Sequence, residues 1–208
     1  MPAPTMQDAA TDFEQVHEFW FGTLGPDGRA APAVAKRWFQ GGPEFDREIR
    51  DRFLSLHAAV AAGGHEDWLS SPRGRLALVI VLDQFSRNMF RGTPAMFARD
   101  ARALEHAFDG IARGDEKALA TDERVFLYMP LMHSEKLAVQ ERCVDLFATF
   151  RDSLSGEACA AVTHNLDFAM RHRDIIRRFG RFPHRNAILG RSSRPEELEF
   201  LKQPGTSF

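Results

Sequence analysis

The chain has 208 residues, 44% hydrophobic and 27% charged, which is enough for one sizeable core and ordinary for a globular protein. A net charge of −2 and a pI near 6.4 exclude the broad basic surface on which general nucleic-acid binding depends. The longest apolar run, Leu76–Leu82, is seven residues, against about 20 for a bilayer span. The N-terminus has neither the basic flank nor the apolar stretch of a signal peptide. The expectation is therefore a cytoplasmic protein with no membrane span, binding a small anionic molecule or a protein partner rather than nucleic acid.

Cys143 and Cys159 lack metal or redox spacing, and only four of the 27 basic residues are lysine. Coding bias explains that imbalance more simply than selection for guanidinium forks does.

In chain order, residues 1–10 read as a flexible tail to a single helical domain over 1–208. Thr11 is an N-cap candidate for a helix with Phe13, Val16, Phe19 and Trp20 on one stripe. "GPDGRAAP" is a loop. From Pro43, the residues Phe45, Ile49, Phe53, Leu56 and Val60 recur at helical spacing until Gly63-Gly64. Ser71-Pro72 pairs a cap with a first-turn proline and opens a buried helix through Leu76–Leu82 to Phe90. Thr93-Pro94 repeats the device for a helix carrying Phe97, Ala101, Leu104, Phe108 and Ile111.

A shorter helix from Thr121 is expected to stop at Pro130. Ser134 is a cap candidate for the next helix, and Glu157 to Phe179 form another, with Gly180 at its C′ position. Asn186 is a cap candidate for a short helix over "AILGR". "SRPE", Ser193 to Glu196, has the pattern of a capping box. About seven to eight antiparallel helices with no sheet make this an all-α chain, as an array or a bundle.

Three polar clusters flank the apolar helices. In "LDQFSRNMFRG" the residues Asp83, Arg87 and Arg91 are spaced four apart on one line, beside Gln84 and Asn88 at the same spacing. An arginine next to so apolar a run needs a carboxylate, a carbonyl or an anionic ligand. In "MPLMHSEK", His133 precedes the presumed cap and Glu135 falls in the first turn, where exposed amides attract a carboxylate. From Arg171 to Arg191 seven arginines face one acid, Asp174, a net charge of +6. His172 lies on the inward stripe of its helix.

The turn "FGRFPHRN", Phe179 to Asn186, places Arg181, His184, Arg185 and Asn186 around a proline. It is either a ligand cradle or a polar staple between helices. Nucleotide-loop, zinc-protease, paired-cysteine and serine-hydrolase motifs are absent. A metal held by His133, Glu135, His172, His184 and Asp83 has no spacing signature, and no cofactor is indicated.

"FWFG" (19–22), "LDQFSRNMFRGTPAMFARD" (82–100), "FLYMPLMHSEKLAVQ" (126–140) and "FGRFPHRNAILGRSS" (179–193) together resemble a bacterial domain-of-unknown-function family, numbered 924. The resemblance runs from about residue 13 to 201. It implies a tetratricopeptide-like all-helical fold and no particular activity. Ser86 stands where the family pattern has proline.

Three readings remain. The first is a pocket in which Arg87, Asn88, Arg91, Arg181, Arg185 and Asn186 hold a carboxylate or phosphate, with Asp83, His133, Glu135, His172 and His184 as proton-moving candidates. The second is a helical protein-interaction module. In the third, the clusters are internal networks that pin helices. Density of titratable groups places the pocket first by a small margin.

Overall fold

The computed structural model describes the backbone of residues 6–206 and the side chains of 13–206. Among them the regular structure is helical, apart from an isolated antiparallel bridge between Leu24 and Ala30. No described helix is long and apolar enough to cross a membrane. The chain divides into two compact units. One comprises the residues up to Arg91 with Ala95–Pro130, and the other Gly92–Pro94 with the chain from Leu131 onward.

The first unit contains α1 (Met6–Phe21), α2 (Pro32–Gln40), α3 (Gly42–Ala61), α4 (Pro72–Ile80), α5 (Ser86–Met89), α6 (Asp100–Arg113) and most of α7 (Thr121–Met132). The expected tail lies outside the described residues over 1–5, and α1 begins at Met6 rather than at Thr11. Helix α2 has no counterpart among the expected elements. It is nine residues long, and its stripe is only Val34, Ala35 and Trp38, none of them fully buried, so the periodic signal is brief. Trp38 nevertheless ties α2 down: its indole N–H donates to the Trp20 carbonyl (2.7 Å), and its ring lies 4.8 Å from that of Phe126.

The core is aromatic. Trp20 packs edge-on to Phe85 and Phe126 (5.6 and 5.5 Å), and Phe53 lies 4.8 Å from Phe85. Such pairs contribute about 0.5–1.5 kcal/mol each beyond area burial.

Ser71 caps α4 as expected, its Oγ accepting from the Gly74 N–H (3.1 Å). The expected single helix to Phe90 is interrupted by a π turn at Val81–Phe85, all five residues buried. α6 also departs from expectation. Pro94–Phe97 form a separate 3-10 turn, and the α-helix starts only at Asp100. Its buried face is Ala103, His106, Ala107 and Gly110, while Leu104, Phe108 and Ile111 are half-buried. Small residues face the core because α4 approaches closely: a Cβ at Gly110 would stand 2.8 Å from Arg75 Cδ. Pro130 lies inside α7 rather than ending it. Only Leu131 and Met132 follow, so the lost hydrogen bond falls in the fraying last turn.

The second unit is built on α8 (Leu137–Asp152) and α9 (Gly156–Phe179), joined by a short turn, with α10 (Pro195–Leu201) near the C-terminus. Gln140, Cys143, Phe147 and Phe150 are the buried face of α8. On α9 the corresponding stripe runs from Ala158 through Val162, Leu166 and Ala169 to Ile176 and Phe179. Gly180 ends α9 in the left-handed conformation (φ 72°), its N–H donating to the Ile176 carbonyl, as expected.

Replacing Gly74 by alanine is expected to lower the melting temperature, at the roughly 1–3 kcal/mol usual for overpacking. The added Cβ would stand 2.3 Å from the Trp68 carbonyl oxygen. Thermal denaturation followed by circular dichroism measures the change.

Candidate functional site

Of the candidate residues, Asp83, Arg87, Asn88 and Arg91 belong to the first unit. His133, Glu135, His172, Arg181, His184, Arg185 and Asn186 belong to the second.

In the first unit the Asp83 carboxylate has almost no contact with solvent, so donors must replace its water. Arg87, one turn on, supplies Nη1 at 3.1 Å, and Gln84 donates Nε2 at 2.6 Å. Arg87 then forms a fork on Asp100 at the start of α6 (2.9 and 3.1 Å). Burial opposes the guanidinium charge, but Asp83 and Asp100 outweigh it and raise the Arg87 pKa. The straight line Asp83–Arg87–Arg91 is not kept. Arg91 lies past the last residue of α5, where Phe90 leaves helical geometry (φ −118°, ψ 23°). Its guanidinium turns to Asp46 on α3 instead (2.6 and 2.9 Å). Asn88 donates to the same carboxylate at 2.8 Å.

This pairing forms one wall of a cleft of about 310 Å³ lined by Pro43, Asp46, Arg47, Arg50, Asn88, Met89 and Arg91. Arg47 and Arg50 are exposed on α3, and neither forms an ion pair with a carboxylate of the described residues. Arg50 lies over the Phe90 ring (5.6 Å). Three guanidiniums thus face one carboxylate, and that carboxylate is already held by Arg91 and Asn88. Sequence reading missed Arg47 and Arg50, since exposed arginines on an amphipathic helix carry no signal until a second element is placed beside them.

In the second unit the turn after α9 is mostly committed to its own neighbours. Arg181 forms a fork on Glu197 of α10 (2.7 and 2.8 Å) and donates to the Ser192 carbonyl. Glu197 is fully buried and also accepts from the backbone N–H and side chain of Arg194. The Arg181 donors foremost, with Arg194 adding to them against the effect of burial, hold the Glu197 pKa at about 2. The N-cap of α10 is Arg194 rather than Ser193, one residue later than the pattern suggested. Asn186 caps no helix, because Pro183–Arg185 is a 3-10 turn and the chain beyond it is irregular. Its amide donates to Ser193 Oγ (3.0 Å), and its carbonyl accepts from Arg191 Nε (3.0 Å).

Ser134 is not the cap of α8 either; that residue is Lys136. Glu135 therefore lies outside the helix and serves no helix amides. It accepts from the Phe182 backbone N–H (2.8 Å) and from both terminal nitrogens of Arg191 (2.7 and 3.0 Å). Burial opposes this carboxylate's charge, and the Arg191 and Phe182 donors outweigh it and lower its pKa.

Two imidazoles pack against Phe182. His172 meets the edge of that ring (5.5 Å) and hydrogen-bonds the Phe168 carbonyl through Nδ1 (2.8 Å). His184 lies 5.5 Å from the same ring. Arg185 packs over it at 4.5 Å and donates to the His133 carbonyl (3.0 Å). Burial foremost, together with the neighbouring His133, His184 and Arg185, pushes His172 down to about 3. Burial and then Arg185 push His184 to about 4. Both rings are neutral at pH 7. Among the described residues no group of three His, Cys, Asp or Glu side chains is arranged to hold a metal ion.

Two further buried histidines, His17 and His57, make polar contacts that had no sequence signal. His17 of α1 bonds the Arg73 carbonyl (2.8 Å) and Glu123 (3.1 Å), and His57 Nε2 lies 2.8 Å from Ser86 Oγ. In both, the partners are separated by long stretches of sequence. Ser86, at the position where the resemblance has proline, thus uses its hydroxyl.

Arg181→Ala should lower the melting temperature, since it leaves the buried Glu197 carboxylate without its bidentate partner. An unchanged melting curve would mean the fork contributes nothing. Acid should destabilise in two stages. A histidine whose folded pKa lies below its ordinary 6.5 contributes nothing to stability loss above that pH. Between about pH 6.5 and 4 the unfolded chain takes up protons that folded His172 and His184 refuse, so stability falls. Below about 4.5, protonation of Glu135 and Glu197, whose folded pKa values are depressed, adds a second loss. Melting temperatures between pH 7 and 4.5 should drop in the native chain and drop less in His172→Gln/His184→Gln, where His57 and His106, lowered by burial too, still contribute.

With this geometry in hand, comparison with known proteins is informative. A model of the family described as bacterial protein of unknown function (DUF924) matches residues 16–205. Among solved structures, that of a protein of unknown function from Agrobacterium tumefaciens is similar at 39% identity, covering 94% of this chain and 99% of that one, with a TM-score of 0.79. The search of curated proteins found no match. The family match spans all three polar clusters, and the chain belongs to the DUF924 family of bacterial proteins of unknown function.

Proposed function

We propose that the protein binds a small multivalent anion, a phosphate or a polycarboxylate, in the arginine cleft between α3 and the chain around α5. The observation that carries this reading is the surplus of positive charge at Arg47 and Arg50. Like charges brought to one cleft cost energy unless a counter-ion joins them, and Asp46 is already engaged by Arg91 and Asn88. Arg91 reaches Asp46 through Nε and Nη2, which leaves Nη1 for a ligand. Guanidinium forks suit carboxylate and phosphate oxygens geometrically. In this reading Asn88 and Arg91 line the site, and Asp83 and Arg87 are its frame, locking α5 to α6 through Asp100. Because the arginines are exposed, affinity should be modest and should weaken as salt rises.

Inorganic phosphate and citrate, titrated separately at low and constant ionic strength, should each raise the melting temperature of the native protein. Arg47→Gln/Arg50→Gln should melt like the native chain without ligand, since among the described residues neither forms an ion pair that holds the fold, yet lose the anion-dependent rise. An equal rise in that variant, or none in the native protein, would overturn the proposal. The two anions compared at matched charge separate phosphate from carboxylate preference.

A further inference from the structure

The second unit has its own cleft, of about 320 Å³, independent of the arginine cleft. One wall is a face of α9. Arg171, Asp174, Ile175, Arg178 and Phe179 recur at spacings of three and four and therefore share that face. The other wall is Phe200 of α10 with Gln203 to Thr206 beyond it. The floor is apolar: the rings of Phe179 and Phe200 lie 5.0 Å apart, and Ile175 is buried beside them.

The rim is positively charged. The Arg178 guanidinium lies 4.6 Å from the Phe179 ring centroid and 5.7 Å from that of Phe200. Among the described residues it forms no ion pair with a carboxylate. Asp174 does not neutralise it: its Oδ1 accepts from Arg173 (2.8 Å) and Arg177 (3.1 Å). Arg171 lies over Phe168 (5.4 Å) and donates to the Gly205 carbonyl at 3.3 Å.

A guanidinium held over two aromatic rings has lost part of its freedom already, so less rotamer entropy is lost when it receives a carboxylate. Few groups satisfy an apolar floor and a cationic rim together. Phosphate meets only the rim and a neutral hydrocarbon only the floor. The volume falls at the small end of the range for ligand pockets, roughly 300–1,000 Å³. We propose that this cleft binds a single-ring aryl carboxylate, its ring against Phe179, Phe200 and Ile175 and its carboxylate on Arg178.

The probe is 4-fluorobenzoate, followed by fluorine NMR with the full chain. Its resonance should broaden and shift with added protein, and unlabelled benzoate should reverse this. Acetate, which has the charge without the ring, and benzamide, which has the ring without the charge, should not compete at the same concentration. Arg178 is exposed and holds no ion pair among the described residues, so Arg178→Gln should fold normally, checked by its melting curve, and weaken binding by about tenfold or more, as loss of a charge-assisted contact would. Arg178→Lys keeps the charge and should retain part of the affinity. Arg47→Gln/Arg50→Gln should bind the probe unchanged, so failure of the anion cleft and failure of this one are told apart. The proposal is overturned if the native protein leaves the signal unaltered at millimolar concentration. Acetate competing as well as benzoate, or Arg178→Gln binding like the native chain, would overturn it equally.

Discussion

A carboxylate withdrawn from water has to be surrounded by donors, and each unit is organised around one that is. In the first it is Asp83, in the second Glu197. Removing either from solvent would cost several kcal/mol without compensation. Asp83 is met by Gln84 and Arg87 from its own helical run, and the free end of Arg87 is extended to Asp100. Glu197 is met by Arg181, Arg194 and Asn186, so that the turn after α9 and the start of α10 close on one point. Each carboxylate fixes the relative placement of segments whose apolar contacts alone would tolerate sliding. The π turn at Val81–Phe85 lies where this demand is greatest, within a stretch buried on all sides.

The same constraint separates arginines that hold the fold from those free to act. Arg87, Arg181 and Arg191 spend their forks on protein carboxylates. Among the described residues Arg47, Arg50 and Arg178 have no acid partner, and they lie on the walls of clefts. Counting arginines in a sequence cannot distinguish the two sorts; counting their acceptors in a structure can. The turn "FGRFPHRN" is the clearest case, because Arg181 and Asn186 are engaged by neighbours in the same unit while the neighbouring imidazoles gather about Phe182. Its hydrogen-bonding capacity is largely used in closing the second unit.

Neutral histidines follow from the same accounting of charge. His172 is buried against an aromatic ring with its Nδ1 on a carbonyl, and His184 is close to Arg185. Protonation of either would place a cation in poor solvent near other cations. They are therefore fixed as neutral side chains across the physiological range, with the ring packing of Phe182 as the shared contact.

The all-α class, the core stripe of α3 apart from half-buried Leu56, the cap at Ser71 and the stop at Gly180 were legible in the chain because each is a local matter. Period, capping chemistry and a left-handed glycine act within a few residues. So was the Asp83–Arg87 pair, which one helical turn brings together. The rest depended on partners distant in sequence. α2 has only a short, half-buried stripe and is held by Trp38 on a core formed elsewhere. Glu135 was read as a helix-start carboxylate, but Arg191, 56 positions away, claims it. Arg91 was read with Arg87 and turns instead to Asp46, 45 positions back. The one-residue shift of the α10 cap goes with the buried Glu197, which accepts from the Arg194 N–H. Sequence alone determines where helices form and which faces are apolar, since those follow from backbone sterics and hydrophobic period. Only the tertiary structure decides which charges are neutralised and which are not, because a charge takes its partner across space.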